Sequence, residues 1–114
     1  MDNKGFALLA AKTLDNKKAL DIVAIDIAEK SSFADYMIIA SGGSERQVQA
    51  LVDDVEEAFA KEGLLVKSIE GKQNSGWILM DYGDVIVNIF TKETREKYNI
   101  EKVWGDCSFL NLEE

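Results

Sequence analysis

Apolar residues recur along this chain at two spacings, and the places where one gives way to the other mark its elements. Phe6, Leu9, Ala10 and Leu14 recur at helical spacing and predict a first helix over residues 3–14, ended by Asp15-Asn16. From Leu20 to Ile27 the period shortens to two, with Val23, Ile25 and Ile27 on one face and Ile22 and Ala24 on the other. Apolar residues on both faces predict an interior strand. Tyr36 to Ser41 is a second strand, followed by Gly42-Gly43-Ser44 and a helix over 45–62 with Val48, Leu51, Val52, Val55, Ala58 and Phe59 as its stripe. Ser44 and Gln47 stand three apart, as in a capping box where each side chain takes the other's free backbone N–H. Gly63 stops this helix. Leu64 to Ile69 is a third strand, and a strand–helix–strand run of this length predicts a right-handed crossover between parallel strands.

The stretch from Glu70 to Trp104 is the most informative. Trp77–Met80 and Val85–Phe90 read as two strands flanking Asp-Tyr-Gly-Asp, with Gly83 able to supply a turn's positive φ. A two-residue turn at Tyr82-Gly83 sets Asp81 opposite Asp84, Met80 opposite Val85 and Trp77 opposite Asn88. One face then carries Ile78, Met80, Val85, Val87 and Ile89, wholly apolar, and belongs against a core. The other carries Trp77, Leu79, Asp81, Asp84, Ile86, Asn88 and Phe90, a mixture suited to protein docking, where an aromatic anchor is ringed by polar groups. The competing expectation is that a tail helix covers this face and Trp77 is simply packed. Thr91 to Trp104 predicts one or two short helical turns, and residues 105–114 a loosely held tail. The sum is an α/β fold, a mixed sheet of about five strands with helices packed on it.

The chain has 114 residues, which fits one domain, and 46% hydrophobic with 30% charged residues, ordinary for a soluble globular protein. Its formal net charge is −8 and it has no histidine. Charge of that sign repels phosphate backbones, so nucleic acid is not expected as the main contact, whereas basic proteins would be attracted. The opening MDNKGFALLAAKTLDNKK lacks a basic segment followed by a long apolar core, and no apolar run approaches membrane-spanning length. The expectation is a cytoplasmic protein with no membrane contact. Cys107 is the sole cysteine, so no intrachain disulfide can form, and without histidine it lacks the usual base of a catalytic thiol.

Chemistry has few footholds. Gly42-Gly43-Ser44, a glycine turn between strand and helix, resembles the phosphate-holding turn of nucleotidyltransferases. Those enzymes place an Asp-x-Asp pair on the next strand, where this chain offers only Glu70, and Asp53-Asp54 are adjacent in a helix and diverge by about 100°. A helix cap accounts for the turn fully. With no histidine and no CxxC, neither a zinc site nor a Ser-His triad can be assembled. Asp26, Asp35, Glu70 and Asp81 sit near strand ends with nothing to bring two together. No catalytic residue, metal or cofactor is expected. Arg95, Tyr98, Glu101 and Trp104, spaced three apart, share one side of the tail and have a hot-spot composition; plugging of the sheet edge by Tyr98 and Trp104 explains them equally well.

A set of ordered motifs goes further. Asp35-Tyr36 leads a strand, Ser41-Gly42 ends it, and Arg46-Gln47 lies in the helix. Glu70-Gly71, Gly76-Trp77, Asp81 with Gly83-Asp84, and Val87 with Phe90 follow, then Arg95, Tyr98, Glu101 and Trp104. From about Leu20 to Asp106 this resembles the ribosomal silencing factor family, RsfS, also called Iojap-like or YbeB-like. The resemblance implies a nucleotidyltransferase-like fold without the catalytic metal pair. It implies a non-enzymatic factor that binds the large ribosomal subunit through the ribosomal protein conventionally numbered fourteen, blocks joining of the small subunit and represses translation. On this reading Trp77, Leu79 and Tyr98 anchor the partner, Asp81, Asp84 and Glu101 supply acidic complementarity, and Asn88 joins them. The chain departs from the family at Asn88, where a histidine is usual, and at Lys97, where an aromatic is frequent. A nucleotide-binding, nucleotidyltransferase-like enzyme is the alternative function. A homodimer through the hydrophobic hairpin face is also compatible, in competition with ribosome binding if the face is shared.

Overall fold

In a computed structural model, which describes residues 1–71 and 75–112, the chain runs α1 (Asn3–Asn16), β1 (Leu20–Asp26), β2 (Tyr36–Gly42), α2 (Glu45–Lys61), β3 (Ser68–Glu70), β4 (Trp77–Asp81), β5 (Val85–Thr91), α3 (Lys92–Tyr98), a 3-10 turn (Ile100–Trp104) and β6 (Ser108–Phe109). One mixed sheet in the order β3-β4-β5-β2-β1-β6 forms the middle layer. β2 and β5 pair in parallel, and every other neighbouring pair is antiparallel.

α1 and α2 lie on one face. Asp2 caps α1 by accepting from the Gly5 N–H at 2.7 Å. Phe6 and Phe59 bring the two helices together with ring centroids 5.1 Å apart. Beneath them Ile78, Met80, Val85, Val87 and Ile89 are all buried in one core with Ile38 and Ala40. The opposite face carries a second core of Ile25, Ile39, Ile86 and Phe90, covered by the 3-10 turn through Ile100 and Trp104.

The strand–helix–strand unit departs from expectation. β3 runs in the same direction as β2, as the chain of pairings requires, but the two are not neighbours: β5 and β4 lie between them. The hairpin inserts into the space a simple crossover would have closed. β3 is also shorter than residues 64–69, because Leu64 and Val66 turn down against the α1–α2 core while Leu65 is exposed, leaving three residues to pair with β4.

The hairpin turn sits one residue later than the motif implied. Tyr82 N–H donates to the Val85 carbonyl at 3.0 Å, so Gly83-Asp84 is the two-residue loop and Gly83, at φ 91°, holds its first position. The expected pairing shifts by two: Trp77 faces Phe90, Leu79 faces Asn88 and Asp81 faces Ile86. A shift of two preserves the alternation, so each residue keeps its expected face. Asp81 sets the turn by accepting from the Gly83 N–H at 2.7 Å. The Asp84 carbonyl accepts from Asp35 N–H and Tyr36 N–H, tying the turn to the start of β2.

A sixth strand arises in the segment expected to hang loosely. Phe109 pairs with Ile25, Ser108 with Asp26, and Leu110 N–H donates to the Ala24 carbonyl at 2.8 Å. Leu110 and Leu112 then pack against the α1–α2 core. β6 completes the hydrogen bonding on the outer side of β1, an edge otherwise open to other chains. The last two residues of that segment lie outside the described residues.

Candidate protein-docking site

The mixed face of the hairpin is mostly a core, open at one end. Ile86 and Phe90 are buried within it, while Trp77 and Leu79 at its margin are only half-buried. Trp77 stacks on Phe90, with centroids 5.0 Å apart and planes 26° apart. Tyr98 also lies against the indole, at 5.2 Å and 44°. Trp77, Leu79 and Tyr98, with Glu70, Gly71 and Ser75, line an open groove of about 290 Å³. Among the described residues the tail covers most of this face, and one aromatic groove is left open at its end.

Local chemistry explains why Tyr98 arrives there. Thr91 caps α3, its hydroxyl accepting from the Thr94 N–H. Gly76, at φ 77°, lets the chain entering β4 pass against that cap, where a Cβ would collide with the Thr94 hydroxyl. α3 ends at Asn99 in the left-handed region, φ 44° and ψ 50°, whose N–H donates to the Arg95 carbonyl at 2.8 Å. That stop leaves Tyr98 52% exposed beside the indole. The Lys97 ammonium lies 5.7 Å from the Tyr98 ring centroid, a cation–π contact to one of the groove's lining rings.

The other expected site residues are placed elsewhere. Asn88 is 1% exposed and lies under the indole, where its Oδ1 accepts from Trp77 Nε1 at 2.9 Å. It cannot touch a partner across this surface. Glu101 is engaged internally: its Oε1 accepts from Arg95 Nε at 2.7 Å. Arg95 is itself buried, and its Nη1 donates to Ser41 Oγ at 3.0 Å and to the Leu20 carbonyl at 3.4 Å. This knot ties the tail to β1 and β2. A buried guanidinium needs that pairing, so Glu101 serves the fold before any partner. Asp81 is occupied by the turn, and Asp84, exposed, stands with it at the far end of β4 and β5 from Trp77. Trp77, Leu79 and Tyr98 are thus the expected residues that share the groove.

Sequence reasoning missed Glu70, Gly71 and Ser75 as its rim, since only the fold brings β3 beside β4. It also grouped Arg95 with Tyr98, Glu101 and Trp104 on one side of the tail without anticipating that Arg95 is buried. Asn88 did carry a signal: one amide inside the apolar run VIVNIF predicts a buried group with a partner.

The glycine turn is a helix cap here. Ser44 Oγ accepts from the Gln47 N–H at 3.1 Å. The reciprocal half of the expected box is displaced by one residue, with Gln47 Oε1 accepting from the Gly43 N–H at 2.6 Å. Both contacts occupy N–H groups that a phosphate would need. Cys107 is half-buried at the edge of the second core. Among the described residues no three His, Cys, Asp or Glu side chains are grouped to hold a metal ion, and no helix is long and apolar enough to cross a membrane.

With this geometry in place, comparison with known proteins is decisive. The family described as ribosomal silencing factor during starvation matches residues 2–114. The chain belongs to the ribosomal silencing factor family. The ribosomal silencing factor of Bacillus subtilis is 40% identical over 113 residues, covering 99% of this chain and 96% of that protein. A crystal structure from Chromobacterium violaceum has a TM-score of 0.88 at 34% identity, covering 92% of this chain and 88% of that one. The chloroplastic protein Iojap of Zea mays is 32% identical over 107 residues, which are 94% of this chain and 46% of that protein. Members of the ribosomal silencing factor family are named as regulators that silence ribosomes, which sets this chain among translation repressors rather than under an enzyme's name.

Proposed function

We propose that this protein represses translation by docking on the large ribosomal subunit, on its ribosomal protein conventionally numbered fourteen, and occupying space that the small subunit needs. The observation that carries the reading is the groove between Trp77, Leu79 and Tyr98, an aromatic surface left open at the margin of the second core. Aromatic side chains in a partly desolvated groove are the composition of binding hot spots. A net charge of −8 favours a basic ribosomal protein over bare ribosomal RNA and speeds encounter with it. Repression by occupancy requires no catalytic residue, metal or cofactor, and it places the protein in the cytoplasm, with the ribosomes.

A homodimer would have to use the same groove or another surface, because the wholly apolar hairpin face is closed beneath α1 and α2. The nucleotidyltransferase-like alternative draws no support from the geometry, since Ser44 and Gln47 engage the α2 amino terminus.

Sedimentation of separated ribosomal subunits through sucrose, with and without the protein, tests the reading. Co-migration with the large subunit and fewer joined particles is the expected result. Protein that stays at the top of the gradient while subunits join normally would overturn it.

A further inference from the structure

The groove's anchor is held from below by a residue that no partner can reach. Asn88 sits in the middle of β5, opposite Leu79 on β4 and Ile39 on β2. It is one of three buried polar or charged residues among those described. Its amide spans two neighbours: Oδ1 accepts from Trp77 Nε1 at 2.9 Å, and Nδ2 points at Met37 Sδ on β2. The assignment of the amide ends follows from chemistry, because an indole N–H only donates and must meet the oxygen.

Stacking on Phe90 fixes the plane of the Trp77 ring but not which edge points inward, since a flat ring can turn over and keep its stacking partner. A directional hydrogen bond to a buried acceptor removes that freedom, because an overturned indole would leave the Asn88 oxygen unpaired. Resting on the docking reading above, we propose that Asn88 is a positioning residue for the docking groove: it selects the single orientation in which the Trp77 indole is presented against Phe90 and Tyr98. An anchor held in its bound orientation loses less freedom on binding, and the benefit falls mainly on dissociation rate.

The test uses the full chain and purified large ribosomal subunits, with Asn88→Leu, Trp77→Phe and the double variant. Leucine matches the amide's size without its acceptor, and phenylalanine keeps a stacked ring without the donor. Exchange of the Trp77 indole Nε1–H, followed by nuclear magnetic resonance with Trp104 as internal reference, should accelerate about fivefold in Asn88→Leu, the worth of one net hydrogen bond. Affinity for large subunits, measured well below the melting temperature of each protein, should fall by a similar factor in each single variant, and the double variant should be no worse than either, because both remove the same bond. Unchanged exchange, or losses that multiply in the double variant, would overturn the proposal. Should Asn88→Leu fail to fold, Trp77→Phe decides alone, and wild-type affinity in that variant overturns it. Wild-type protein that ignores large subunits overturns the docking reading and the role assigned to the indole with it, whereas accelerated exchange would still show the bond itself to be real.

Discussion

The two faces of the β4–β5 hairpin are built from the same two strands, yet one is closed by helices and the other is left open at its end. On the closed face every inward residue from Ile78 to Ile89 is buried under α1 and α2. On the open face Ile86 and Phe90 are equally buried, but Trp77, Leu79 and Tyr98 are not. The difference is one of length. α2 has 17 residues and spans about 25 Å, whereas α3 has seven and spans about 10 Å before Asn99 turns the chain. A cover that short cannot reach the whole sheet, and the aromatic residues at its margin become surface. Closure on one side supplies stability, and incomplete closure on the other leaves an open groove, the surface to which docking is assigned in the proposed function.

Removing side chains from each face should separate the two roles. Ile89→Ala on the closed face should cost about 3–4 kcal/mol, because it opens a cavity in a core with no room to collapse. A urea titration would show it, and a loss below about 1 kcal/mol would mean that this face is packed less tightly than it looks. Arg95→Met comes next, at about 2 kcal/mol. It leaves Glu101 without its partner, but that carboxylate is half-exposed and recovers some solvation. The same variant should loosen the tail, so the second core should gain hydrogen exchange at Ile100 and Trp104 while the first does not.

Tyr82→Phe should act in the opposite direction and more weakly. The Tyr82 hydroxyl is buried among the described residues without a hydrogen-bond partner, its ring 4.4 Å from Phe59. Deleting it should raise stability by about 1 kcal/mol. Burial, and next the Glu56 carboxylate, push this hydroxyl up to about 12 from its usual 10.0. The fold therefore favours the neutral phenol, and that contribution is complete below pH 10 and lost as pH rises from there through about 12. Tyr82→Phe should flatten the alkaline fall in stability, and an identical alkaline limb in both proteins would contradict the assignment.

These contrasts also show what the residues alone could reveal. The split of the hairpin into two faces was legible because alternation survives an error of one residue in the turn: the loop moved from Tyr82-Gly83 to Gly83-Asp84 and every side chain kept its face. The helices were legible from their stripes and caps. β3 was overextended because Leu64 and Val66 are apolar for contact with the core, not for pairing in the sheet. The site was only half legible. Trp77, Leu79 and Tyr98 fall together as expected, but spacing cannot reveal that Glu101 is spent on a buried arginine or that Asn88 works from beneath. Both are consequences of long-range packing, Arg95 reaching Ser41 across the sheet and Asn88 reaching Met37 on the adjacent strand.

Trp77→Ala is a poor probe of docking, since it removes the Phe90 stack and orphans Asn88 as well as the anchor. Tyr98→Ala is cleaner. Tyr98 is 52% exposed, so its loss should change stability by about 0.5 kcal/mol or less. A matching control lies on a separate apolar spot, where Phe33 is 58% exposed and rests against Trp104 at 6.2 Å. The most direct test is the affinity of purified large ribosomal subunits for Tyr98→Ala beside Phe33→Ala. Docking through the groove predicts a loss of about 2 kcal/mol, roughly thirtyfold, for Tyr98→Ala and wild-type affinity for Phe33→Ala. Wild-type affinity for Tyr98→Ala, with the loss falling on Phe33→Ala, would contradict it.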